Sequence, residues 1–127
     1  MVIKYEQAPD LKQKAKEIIE VLRWNHIQLD NIAFIRSHGS KSRGTIARCH
    51  ALGKAMQLAL NRKGFYLIET ISKRFDKLSE QEQIKVIIHE LMHIPKTFGG
   101  GFKHHNVVTE KNVDYIYDKY VELKNGI

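Results

Sequence analysis

Between Pro9-Asp10 and about Trp24, Leu11, Ala15, Ile18, Ile19 and Leu22 recur at helical spacing, while Lys12, Lys14, Lys16 and Glu20 occupy the other side. That period predicts an amphipathic helix opened by a proline, whose fixed φ suits a first turn. Ile32-Ala33-Phe34-Ile35 then reads as a short strand. Arg36 to Gly44 holds two glycines, three serines and three basic residues, a loop composition. Thr45 to Leu52 predicts a second strand, Lys54 to Leu60 a short helix or another strand, and Phe65 to Ile71 an apolar strand after Gly64 resets the chain.

Ser79-Glu80-Gln81-Glu82 has the Ser-x-x-Glu form of a capping box, so a helix should begin near Glu80. Its apolar stripe is Ile84, Ile87, Ile88 and Leu91. Pro95 lacks an N–H and disfavours helical geometry at the preceding residue, which stops the helix around His93 or Ile94. Gly99-Gly100-Gly101 predicts a flexible turn, and Thr109 to about Lys124 a last helix carrying Val113, Ile116, Tyr117 and Tyr120 on one face. The pattern predicts one α+β domain over residues 1–127. Its small mixed sheet, built from segments near 31–36, 45–52 and 65–71, packs against helices.

Composition narrows the setting. A chain of 127 residues has room for one domain with a real core. Twenty-one Lys and Arg against fourteen Asp and Glu give a formal charge of +7, which permits attraction to nucleic acid, anionic membrane or acidic substrate without choosing among them. A single cysteine, Cys49, excludes an internal disulfide and suits a reducing compartment. With no apolar run long enough for a bilayer and no signal-peptide pattern at the start, a cytoplasmic protein without membrane partners is expected.

The chemistry lies in His89-Glu90-Leu91-Met92-His93, an H-E-x-x-H sequence in the second half of the capped helix. Residues four apart share a helical face, so both imidazoles can point at one ion, at roughly 2.0–2.1 Å if it is zinc. Glu90 stands beside that ion as general base, placed to take a proton from the attacking water and return it to a leaving amine. The apolar stripe leaves His89 and His93 on its flank, where a cleft wall would be. A catalytic zinc takes three protein ligands, so a third must come from elsewhere. His104 and His105 follow a glycine-rich stretch able to double back to the helix, and either can serve; Glu110 is second choice. The metzincin pattern is excluded, because its glycine and histidine positions hold Lys96 and Gly99.

From Ile88 to His105 the chain resembles the core of a family of small metallopeptidases of archaea and phages with a zincin-like fold. The resemblance extends upstream through Phe34-Ile35-Arg36-Ser37, Tyr66-Leu67-Ile68-Glu69 and Arg74-Phe75-Asp76-Lys77-Leu78, and covers about residues 31–107. The family pattern is H-E-L-x-H-I-P, a glycine pair, and a histidine eleven intervening residues after the second one; here that position is His105. The resemblance therefore implies one zinc ion held by His89, His93 and His105, and a peptide or protein substrate.

Other candidates carry blander readings. Asn112 or Asp114 can orient a ligand imidazole, His104 can donate near the ion, and a phenol from Tyr115, Tyr117 or Tyr120 can face it, although helical packing suits Tyr117 and Tyr120 better. Cys49 and His50 diverge if they lie on a strand, which leaves Cys49 a small buried hydrophobe. Arg36, Lys41, Arg43 and Arg48 form either a solvated basic surface or a phosphate contact. The rival to a peptidase is a basic nucleic-acid-associated binding protein with a structural metal or none.

Overall fold

The computed structural model describes residues 2–126. Its four strands are β1 (Lys4–Gln7), β2 (Ile32–His38), β3 (Ala47–Ala51) and β4 (Tyr66–Ile71). Its helices are α1 (Pro9–Leu22), α2 (Lys54–Ala59), α3 (Ser72–Phe75), α4 (Glu80–Met92) and α5 (Glu110–Lys124). They form an α+β domain with one sheet in the order β1-β2-β4-β3. The pair β2/β4 is parallel, and β1/β2 and β3/β4 are antiparallel. The sheet is mixed, as expected, and β3 is an edge strand.

Helix α1 begins at Pro9, and the preceding Ala8 donates its N–H to Phe34 O at 2.9 Å, tying the helix start to β2. Leu11, Ala15 and Ile18 are buried from α1, and Ile84, Ile87, Ile88 and Leu91 from α4. Burying each of these large aliphatic side chains contributes about 1.5–3 kcal/mol. The capping box forms by half: Ser79 Oγ accepts the Glu82 N–H at 3.2 Å, while the Glu82 carboxylate takes the Ser79 hydroxyl at 3.2 Å. Thr109 Oγ1 caps α5 in the same way, accepting from Asn112 N at 3.1 Å. Strand β4 lies between β2 and β3, and Tyr66, Ile68, Ile71 and the polar Thr70 are almost fully buried along it.

Four local expectations change. Strand β1 was not expected, because Lys4-Tyr5-Glu6-Gln7 is exposed throughout and has no apolar face; it forms because β2 offers a free edge. Strand β2 continues through Arg36, Ser37 and His38 instead of breaking at Ile35, since β1 and β4 pair with Arg36 and Ser37 from both sides and β1 with His38. Arg36 thereby leaves the basic loop, where its guanidinium would be free for phosphate. It makes a two-pronged pair with Asp10 at 2.7 Å and a contact to Asp76 at 3.3 Å. Helix α3 after β4 was likewise not expected, whereas Lys54–Ala59 is the helix of the two forms expected there.

Candidate metal centre

His89 lies in the last turn of α4 and His93 caps it with helical backbone angles, so the i, i+4 relation survives the helix end. Their ring centroids are 5.0 Å apart. His105 approaches from the far side, 4.8 Å from the His93 ring and 5.5 Å from that of His89. One nitrogen from each of the three lies within 4.8 Å of the other two. Three imidazoles converging on one point are a donor set suited to zinc or another transition ion.

His93 is oriented from behind. Its Nδ1 donates to the Lys103 carbonyl oxygen at 2.6 Å, and because a carbonyl only accepts, Nε2 keeps its lone pair for a metal. Lys103 N in turn donates to the His93 carbonyl at 2.8 Å, so the chain returns to the helix end it left ten residues earlier. Burial, with smaller contributions from His93 and His105, pulls His89 down to about 4 and keeps it neutral at pH 7. Burial also lowers His93.

The turn that delivers His105 is anchored, not flexible. Tyr66, buried in β4, accepts Gly100 N–H at 2.9 Å and donates to Gly101 O at 2.8 Å. Gln57 of α2 donates to Gly99 O at 3.0 Å and to Leu52 O at 2.8 Å. Gly100 has φ +104°, and a Cβ there would stand 2.6 Å from Gln57 Nε2 and 2.8 Å from Leu52 O. Phe98 packs edge-on to Tyr66 at 4.9 Å, and its carbonyl presses against Gly64, where a Cβ would fall 2.0 Å from it. Beyond the glycines, His104 O accepts from Val107 N and Val108 N in a turn seated by the buried Val108.

Glu90 is 6% exposed, and its carboxyl has no hydrogen-bond partner among the described residues; the ionic neighbour beside it is His89 Nε2 at 4.0 Å. Burial raises its carboxyl to about 7. A buried carboxylate without a partner beside three imidazoles is poised to exchange a proton near neutral pH.

Sequence candidates separate at this point. His104 is exposed and Glu110 lies in a neighbouring cavity; neither joins the three-histidine cluster. Asp114 pairs with Lys85 at 2.9 Å and Asn112 donates to Val107 O at 2.7 Å, so neither orients a ligand ring. Tyr115 is exposed, Tyr117 is half-buried, and Tyr120 packs in the core with its hydroxyl on Glu17 at 2.7 Å. Burial, followed by the Glu90 charge, pushes Cys49 up to about 12, which favours the thiol over the thiolate, and His50 turns away to Glu69 at 2.8 Å. Tyr66 and Lys103 were not legible as parts of the site, because one acts through a hydroxyl and the other through its backbone carbonyl.

Two cavities adjoin Glu90. One of about 310 Å³ is lined by Arg48, Cys49, the three clustered histidines, Lys103 and His104. Another of about 570 Å³ opens between β3, α4 and α5. Ala47, His89 and Glu90 belong to both.

This α+β fold, with a helix-borne histidine pair, a third histidine and a buried glutamate, has the layout of a metal-dependent hydrolase. Residues 3–119 match the family described as "Putative phage metallopeptidase", and the chain belongs to that family. The family's description is that of a metallopeptidase, and it implies a hydrolase with a metal ion and a peptide or protein substrate. No curated protein and no solved structure matches the chain. Among the described residues no helix is long and apolar enough to cross a membrane.

Proposed function

We propose that the chain, acting as one domain over residues 1–127, is a zinc-dependent peptidase of the H-E-x-x-H type. In this reading His89, His93 and His105 hold one zinc ion and Glu90 is the general base. The observation that carries it is the convergence of His105 on the helical pair within 4.8 Å, beside a buried carboxyl that has no hydrogen-bond partner among the described residues. Zinc, when bound, supplies Lewis acidity that activates water and polarises the scissile carbonyl.

The protein's own groups account for the remainder. Glu90, raised to about 7, accepts a proton from the attacking water and delivers it to the departing amine. The Lys103 carbonyl keeps His93 in the tautomer whose Nε2 can ligate. Strand β3 has one unpaired edge, and its residues Ala47, Arg48 and Cys49 line the cleft beside Glu90. An extended substrate would pair with that edge through main-chain hydrogen bonds. The lone, half-buried Cys49 suits a reducing, cytoplasmic setting.

Zinc content and hydrolysis, measured on one set of variants, test the assignment. Wild type should hold about one zinc per chain. His105→Ala should lose it, and His104→Ala and Glu90→Gln should keep it. Glu90→Gln should also abolish cleavage of a peptide library that the wild type digests. Wild-type protein without tightly held metal would refute the reading, and zinc loss from His104→Ala alone would refute the ligand set.

A further inference from the structure

Strand β1 forms the edge of the sheet opposite β3, whose residues line the cleft. All of Lys4–Gln7 is exposed, and among the described residues the strand pairs with β2 alone. Three apolar side chains stand in solvent there: Val2 is 80% exposed, Ile3 38% and Tyr5 63%. Natural edge strands are ordinarily closed to further pairing by a proline, a bulge or a covering element. The segment from Val2 to Gln7 holds no proline, and the register of β1 with β2 runs unbroken. Its one blocking feature is the charge of Lys4, and Glu6, on the same face of the strand, carries the opposite charge.

The direction of the free main-chain groups follows from one bond. Ala8 continues the β1/β2 register opposite Phe34 and donates its N–H to Phe34 O at 2.9 Å. Opposed residues of an antiparallel pair alternate between bonded and non-bonded, so Glu6 and Lys4 turn their N–H and C=O toward β2. By the same alternation Ile3, Tyr5 and Gln7 turn theirs to the free edge. A further strand can bond there only through outward groups of its own. Two copies of β1 centred on Lys4 or on Glu6 would set like charges face to face, which destabilises the pair. Centring on Tyr5 sets Tyr5 opposite Tyr5 and Ile3 opposite Gln7, all of them outward residues. It also sets Lys4 of each copy opposite Glu6 of the other.

We propose that a second copy of this chain docks on β1, antiparallel and centred on Tyr5, and joins two four-stranded sheets into one. Each Lys4/Glu6 pair falls at a non-hydrogen-bonded position, where Cα atoms approach to about 4.5 Å and side chains are closest. Glu6 Oε1 holds His38 Nε2 at 2.9 Å, which leaves its other carboxylate oxygen for the lysine. On the opposite face Tyr5 meets its symmetry mate, and Ile3 reaches that second ring on the diagonal. The apolar groups that one chain leaves in solvent thus cover each other. Pro9, which opens α1 and has no N–H, bounds the ladder. Both β3 strands stay at the outer edges of the joined sheet, so neither cleft is obstructed. With one short strand per copy the contact is small, and a dissociation constant of about 100 μM is expected.

Sedimentation equilibrium of the full chain from about 10 μM to about 1 mM tests the pairing. The apparent mass of the wild type should rise from one chain toward two. Tyr5→Pro removes an N–H that points to solvent in the single chain and to the partner in the pair; it should abolish association and leave the thermal midpoint unchanged. Lys4→Glu and Glu6→Lys each set like charges across the strands and should weaken association about tenfold. An equimolar mixture of these two variants places unlike charges at both positions and should restore it. Amide exchange followed by NMR should show Tyr5 and Gln7 protected only in concentrated protein, and Glu6 protected at every concentration.

A chain that stays monomeric at about 1 mM overturns the proposal, as does association that survives Tyr5→Pro. Association that the charge variants leave unchanged, or that their mixture fails to restore, overturns the register centred on Tyr5. Should Tyr5→Pro lower the thermal midpoint, the charge variants and their mixture decide alone. These measurements need neither metal nor substrate and are independent of the peptidase reading.

Discussion

Tyr66→Phe removes one oxygen atom and, with it, two of the bonds that hold the glycine turn over the site. The hydroxyl accepts Gly100 N–H at 2.9 Å and donates to Gly101 O at 2.8 Å, while the ring, fully buried, keeps its packing on Phe98. Each lost bond contributes about 0.5–1.5 kcal/mol net. The Gly101 carbonyl is at the exposed end of the turn and can be rehydrated, whereas Gly100 N–H is partly enclosed. A total near 2 kcal/mol follows. Urea unfolding in chelator should report that loss, and heating should show a midpoint about 7 °C lower. Because the turn carries His105, zinc affinity should fall as well, by about tenfold in a competitive chelator titration.

In a His105→Ala background the same Tyr66→Phe change should scarcely move the remaining metal affinity, since its effect runs through the missing ligand. A variant that loses stability but binds zinc with wild-type affinity would refute the claim that the anchored turn positions His105. So would an equal additional affinity loss in the His105→Ala background.

Gly64→Ala places a Cβ 2.0 Å from the Phe98 carbonyl oxygen, a contact that only backbone movement can relieve. It should cost about 3 kcal/mol or more, and a wild-type urea midpoint would contradict the packing described. For Glu90 the sign follows from burial, which raises the folded carboxyl from 4.5 to about 7. In metal-free protein the stability that this proton supplies is present below the unfolded value and is lost as pH rises through about 7, by about 3 kcal/mol. Glu90→Gln, having no proton to lose, should therefore gain on wild type between pH 5 and pH 8 in chelator; parallel urea midpoints across that range would refute it.

Much of the histidine-bearing helix was legible locally. The Ser79 cap, the Ile84-to-Leu91 stripe and Pro95 predict a helix from Glu80 to His93 or Ile94, and α4 spans Glu80–Met92 with His93 as its cap. The last helix and the packing of Tyr120 were legible for the same reason: neighbours three and four apart on one helix decide them, although Thr109, read as its first residue, is its cap. Strand β1 had no such signal, because its pairing partner and not its own side chains makes it a strand. Arg36 reads as a loop cation for as long as Asp10 and Asp76 are only distant letters.

By itself, then, the sequence determined what repeats at short range: the helix, its cap, and the spacing that sets His89 and His93 on one face. It also left two adjacent histidines as candidates for a third donor, with only a family resemblance to favour one. The tertiary structure brought His105 to the pair and left His104 outside. It did so through Tyr66, 34 residues from Gly100, and Gln57, 42 residues from Gly99. That outcome depends on hydrogen bonds and packing between segments far apart in the chain, which no periodicity in a single segment encodes.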